Sequence, residues 1–154
     1  MDPPGDSPGS HAPAGNLPPV LRLAHDTWIE MIGHAYDGLP LEACGLLGGR
    51  PESGLVEVFY PCRNDAASSK LYTVNAKDFL RADRDAEERG LEIIGVMHSH
   101  THTDAFPSPT DVAQAPDPNW HYVIVSLRDT APTLRSYRIV DGSIAEEVVS
   151  AEGR

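Results

Sequence analysis

The run Ile93-Ile94-Gly95-Val96-Met97 is apolar and uncharged, and it leads without a break into His98-Ser99-His100. A strand with apolar residues on both faces must be covered on both, so it belongs inside a layered sheet. The flanking segments supply the layers. Trp28, Met31, Ile32, Ala35 and Tyr36 recur at i, i+3, i+4, i+7 and i+8, which marks one face of a helix over residues 26–36. Asp26 or Thr27 is placed to cap its start, and Gly38 with Pro40 to stop it. Short strands are expected at 44–49 and 55–60, around a turn at 50–54. A second helix runs from 75 or 76 to 89 and ends at Gly90. After the apolar strand come a Pro-containing loop, a short helix starting near Ser108 or Thr110, and strands at 122–127, 133–139 and 143–149. The order predicts an α/β chain ending in an antiparallel meander, one sheet with helices packed against it.

Composition sets the outer limits. With 154 residues the chain holds one domain, and a chain of that size buries roughly 70% of its unfolded surface. Residues 1–16 are rich in Pro, Gly, Ser and Ala and lack a large apolar residue after Met1, so they read as a disordered tail with His11 a solvated loop histidine. The folded domain is expected over 17–150. A formal charge of −11 argues against nucleic acid and anionic membrane as main partners, since both call for basic patches. No apolar run reaches the ~18 residues of a membrane span, and no secretory signal pattern opens the chain. Cys44 and Cys62 are the only cysteines, expected as free thiols in a reducing cytoplasm.

Side chains alternate along a strand, so His98 and His100 point one way and Ser99 the other. Two imidazoles at a strand end then converge on one point, as a metal clamp needs. Asp111 returns a carboxylate beside the cap residues of the short helix. Three protein ligands leave the fourth position of a tetrahedral zinc open to water, the mark of a catalytic rather than a structural site. Taken alone, a His-x-His pair is more often a pair of surface histidines. Four of the seven histidines, however, fall between positions 98 and 121. His102 shares the parity of the pair and is an alternative fourth ligand, a substrate-facing residue or a solvated loop residue. Cys44 opens an apolar strand and reads as a buried thiol rather than a nucleophile. Ser99 reads as structural.

His98-Ser99-His100, seven residues, Ser108, two residues and Asp111 resemble the JAMM (MPN+) motif without a gap, and Glu42 in Leu41-Glu42-Ala43-Cys44-Gly45 sits where that family keeps an upstream glutamate. The resemblance implies a cytidine-deaminase-like MPN/JAB fold: a single mixed, partly curled β-sheet, two main flanking helices and a short active-site helix. It implies one Zn²⁺ held by His98, His100 and Asp111, with Glu42 as general acid/base and Ser108 as oxyanion donor. By itself Glu42 would read as a surface carboxylate, and Ser108 as a helix N-cap, a role that can coexist with catalysis.

The stretches 42–49, 121–126 and 134–142 resemble, within that family, actinobacterial hydrolases that release cysteine from a sulfur-carrier protein. The likeness covers roughly residues 20–148. It implies a ubiquitin-like carrier ending in Gly-Gly as partner, cut at its amide bond to cysteine, with no nucleic acid or membrane partner and a homodimer compatible with the sequence. The carrier tail is expected along a strand edge by backbone pairing, with Asn64, Trp120 and Tyr122 as candidate groove residues. Three alternatives stay open: a peptidase trimming residues beyond the Gly-Gly of a carrier in secondary-metabolite sulfur incorporation, a non-catalytic carrier-binding module with structural zinc, and a two-His, one-carboxylate iron or manganese oxygenase.

Overall fold

The computed structural model describes residues 20–153, so the expected tail over 1–16, with His11, and the start of the expected domain at 17–19 lie outside the described residues. The elements are β1 (Val20–Ala24), α1 (His25–Asp37), β2 (Cys44–Arg50), β3 (Leu55–Cys62), α2 (Ala76–Glu88), β4 (Glu92–His100), α3 (Pro109–Ala113), β5 (His121–Ser126), β6 (Thr133–Val140) and β7 (Ser143–Glu152). The strands pair in the order β1-β3-β2-β4-β5-β6-β7, and β1 also pairs with β7. The sheet is therefore a closed barrel, which corrects the partly curled sheet expected from sequence. The seam is β1, a strand that sequence patterning did not place, parallel to both β3 and β7. Its alternation is short but clean, with Leu21 and Leu23 buried and Arg22 exposed between them.

β4 lies between antiparallel β2 and parallel β5, which explains its apolar run. Alternate residues serve two cores. Leu47, Met97 and Val123 pack with Met31 and Ala35 of α1. Leu46, Val96 and Ile124 pack with Ala82 of α2. Each fully buried side chain of this kind contributes roughly 1.5–3 kcal/mol, so these clusters rather than the polar groups hold the fold. Gly95 permits the close β4–β5 approach, because a Cβ there would stand 2.3 Å from the His121 carbonyl oxygen.

Local signals hold with adjustments. α2 is capped by Asn75, whose side chain accepts from the Asp78 backbone N–H, and Gly90 follows at φ +73. α1 begins at His25, and its N-cap Ala24 makes no side-chain cap bond, so neither Asp26 nor Thr27 caps it. Thr27 is buried instead. β4 runs three residues past Met97, so the whole His98-Ser99-His100 segment is strand. Closure also removes most of the expected free edge. Among the described residues, the outer sides of β3 beyond Val56 and of β7 before Val148 stay unpaired, since β1 does not reach them. No helix among the described residues is long and apolar enough to cross a membrane.

Candidate metal centre

Strand parity brings His98 and His100 to one point at the C-terminal end of β4, with their Nε2 atoms 3.1 Å apart. Asp111 of α3 closes a triangle, its Oδ2 lying 3.2 Å from His98 Nε2 and 3.0 Å from His100 Nε2. The crossover from β4 to β5 makes this possible, because α3 returns over the strand end it has just left. Two of the three residues are oriented by hydrogen bonds from behind, while His98 Nδ1 is buried without a partner among the described residues. His100 Nδ1 donates to the Asp104 carbonyl at 2.6 Å, which in the neutral ring leaves Nε2 as a bare acceptor facing inward. The His98 ring stacks on Tyr72, centroids 4.3 Å apart. A capping box sets Asp111: Ser108 N–H donates to its Oδ2 at 2.8 Å, and its own N–H donates to Ser108 Oγ at 3.1 Å.

As neutral ligands the three are acceptors that repel one another, and without a cation a proton must sit between an imidazole Nε2 and Asp111 Oδ2. The groups titrate accordingly. Burial opposes ionisation of Asp111, yet the hydrogen bonds from His100 and His98 outweigh it and hold its carboxyl well below the usual range. Burial pulls His98 down and keeps it neutral, the form that ligates a metal. At His100 burial is outweighed by Asp111, the Asp104 carbonyl and Glu42, which together raise it. Glu42, in the short connection into β2, is 5% exposed, and its Oε1 has no hydrogen-bond partner among the described residues. Burial pushes its carboxyl up to about 7, with His100 pulling it down and Asp111 pushing it up. A glutamate near neutrality can both accept and return a proton. Ser108 Oγ serves as N-cap acceptor, and its O–H proton is left for another acceptor. Glu42, His100 and Ser108 share the wall of one cavity.

The model of the family described as prokaryotic homologs of the JAB domain matches residues 25–140, which span every element of the site. The chain belongs to that family. A CysO-cysteine peptidase of Mycobacterium tuberculosis is 41% identical over 132 residues, covering 85% of this chain and 90% of the relative. A desampylase of Haloferax volcanii is 32% identical over 111 residues, covering 69% and 80%. A solved protein structure from Desulfitobacterium hafniense superposes with a TM-score of 0.81 at 34% identity, covering 87% of this chain and 94% of that one.

Within this JAB domain the residues picked out from sequence separate cleanly. His98, His100 and Asp111 have ligand atoms within 4.8 Å of one another. His102 is not in that group; it is exposed and lines the cavity that Glu42 enters, which removes the fourth ligand of a closed structural site. Ser99 is structural, accepting from Ala43 N–H at 2.8 Å on the opposite face. Cys44 and Cys62 face each other in the β2–β3 register as free thiols. Burial first, then neighbouring Cys62 and acidic groups, pushes the Cys44 thiol up to about 12, so it is no nucleophile at neutral pH. Asn64 ties the 64–74 loop to the site by donating to the Glu42 carbonyl at 3.0 Å. Trp120 walls a separate apolar cavity, and Tyr122 is a core residue bonded to Asp117. Sequence reading missed Tyr72 and the Asp104 carbonyl. Neither carries a local signal, since both reach the histidines only through loop placement.

Proposed function

We propose that the chain is a zinc-dependent hydrolase that cuts the amide bond between the C-terminal glycine of a ubiquitin-like sulfur-carrier protein and cysteine, acting in the cytoplasm. The observation that carries this reading is the triangle of His98 Nε2, His100 Nε2 and Asp111 Oδ2, with sides of 3.0–3.2 Å. Donors around a tetrahedral zinc at about 2.0–2.1 Å stand roughly 3.3 Å apart, so the protein holds them close to the spacing zinc requires. The partner assignment is supported by the relatives, whose names include a CysO-cysteine peptidase and a desampylase. The two register-paired thiols suit a reducing compartment.

When bound, zinc supplies Lewis acidity, which brings the pKa of a water down to about 7. The remaining work belongs to the chain. Glu42, desolvated and unpartnered at Oε1, takes the proton of the attacking water and passes it to the departing amine. Ser108 donates its free O–H proton to the oxygen that gains charge as the carbonyl becomes tetrahedral. Three candidate protein ligands, one of them sharing a cavity wall with the acid/base residue Glu42, favour hydrolysis over the carrier-binding module and over the oxygenase, in which Glu42 has no role. The test is a carrier–cysteine adduct given to the zinc-loaded protein. Glu42→Gln is expected to keep its zinc and lose roughly 10²–10⁴-fold in turnover. Equal rates for parent and variant would sink the mechanism.

A further inference from the structure

Two cavities lie near the cluster, one walled in part by Tyr72, which stacks on His98, and one opening onto His100. One, of about 340 Å³, is largely apolar, walled by Leu46, Tyr72, Val74, Phe79, Val96 and Trp120 among others. The other, of about 220 Å³, contains Glu42, His100 and Ser108, and every other side chain in its wall is also polar or charged. Its one ammonium is Lys70. The volume lies below the roughly 300–1,000 Å³ typical of drug-sized ligands, so it suits a single small residue. Because Glu42 hands a proton to the departing amine, the leaving group belongs in the cavity that Glu42 lines.

Lys70 is positioned rather than incidental. Its loop is fastened to both segments that carry the site. Glu42 N–H donates to the Ser68 carbonyl at 2.8 Å, and Thr101 Oγ1 donates to the Ser69 carbonyl at 3.1 Å. Ser68 Oγ accepts from Lys70 N–H at 3.0 Å and Leu71 N–H at 3.2 Å, and Asn64 Oδ1 accepts from Ala66 and Thr73 N–H. The Lys70 ammonium has no carboxylate partner among the described residues, while the nearby Asp104 is taken by Arg128 at 2.8 Å. In a chain of formal charge −11, the general field repels anions, and an unpaired cation, exposed on the wall of the cavity that Glu42 lines, counters that locally. His102 and Thr103 add N–H and O–H donors to the same wall.

We infer that Lys70, with His102 and Thr103, receives the free α-carboxylate of the amino acid released, so that the site selects one terminal residue attached to the carrier over an isopeptide to an internal lysine. This rests on the proposed hydrolase reading and narrows its substrate class. An α-amide adduct places a carboxylate two bonds from the departing nitrogen. An isopeptide to a lysine side chain leaves that position to methylenes, which gain nothing from the Lys70 ammonium.

The experiment compares two adducts of the Gly-Gly carrier, one ending in cysteine with a free carboxylate and one in cysteine carboxamide. The readout is the ratio of kcat/KM for the two. In the parent the acid is expected to be preferred by about tenfold or more, the worth of one charge-assisted hydrogen bond. Lys70→Gln should bring that ratio close to one, and Lys70→Arg should restore most of it. A parent that cuts both equally, or a Lys70→Gln variant that keeps the preference, overturns the inference while leaving the hydrolase reading intact. Failure to cut either adduct, with zinc bound, overturns both.

Discussion

Two histidine–carboxylate clusters sit on the same pair of strands and behave as opposites. At one end of the β4–β5 ladder, His98 and His100 meet Asp111; at the other, His121, in register with Gly95, meets Glu147 of β7. His121 Nδ1 lies 2.5 Å from Glu147 Oε1, and Ser136 Oγ donates to the same oxygen at 2.7 Å. One oxygen of that carboxylate, Oε1, is met by two donors, while its Oε2 and His121 Nε2 are buried without a partner among the described residues. The pair is sealed at 0% and 1% side-chain exposure. In the first cluster three acceptors converge and a cavity opens onto one of them, His100. Proximity of histidine and acid is therefore no sign of a site. What separates the two is arrangement: in one, ligand-capable atoms of three residues lie within 4.8 Å of one another beside a cavity, and in the other a single histidine–carboxylate pair is sealed in the core.

The contrast breaks most sharply by removing one carboxylate or imidazole from each cluster. Asp111→Ala is expected to drop bound zinc from stoichiometric to background, as read by metal analysis, and turnover with it. His121→Ala is expected to keep its zinc and to lose about 3–5 kcal/mol of stability in urea unfolding, because Glu147 is left buried without its partner. Zinc loss from a folded His121→Ala protein would erase the distinction between the clusters.

A smaller effect separates the two duties of Ser108. Ser108→Ala should cost about 1 kcal/mol through the lost cap on α3. If its hydroxyl also stabilises the oxyanion, turnover falls by roughly 10²–10³-fold as well. Ser108→Asn keeps a capping acceptor and removes the hydroxyl, so stability should recover while turnover does not. Full turnover in Ser108→Asn would confine Ser108 to capping.

The same division explains how much was legible beforehand. His98 and His100 could be aimed from sequence because strand alternation is fixed by covalent geometry. Asp111 was legible because its neighbours announced a helix start. Glu42 was not legible from its own surroundings, since its burial arises only when β2, the 64–74 loop and α3 assemble; the family resemblance supplied it. The density of histidines overcounted, for His121 belongs to the Glu147 cluster. Barrel closure was hidden for a related reason. It depends on five-residue β1 pairing in parallel with two strands distant in sequence, and no local pattern encodes such a pairing. Lys70 and Tyr72 reach the site on a loop positioned by Asn64 and Ser68, so their roles appear only in three dimensions.

The smallest expected effect comes from a third carboxylate that extends the comparison to the surface. Asp78 accepts from the Arg63 backbone N–H at 2.8 Å and from Arg63 Nε and a terminal guanidinium nitrogen at 3.0 Å each. Those hydrogen bonds hold its carboxyl below the ordinary range, against the opposing effect of burial. Both of its oxygens are hydrogen-bonded, unlike those of Glu147, but its partner is largely exposed, so solvent screens the pair. Because the folded-state pKa is depressed, its contribution to stability is fully present above the unfolded carboxyl range near ~4 and is lost as pH falls through the folded value. Asp78→Asn should therefore be modestly less stable than the parent at pH 7, and the gap between their urea midpoints should close toward pH 2. A gap that stays constant across that range would mean that Asp78 acts through packing or the α2 cap rather than through its charge.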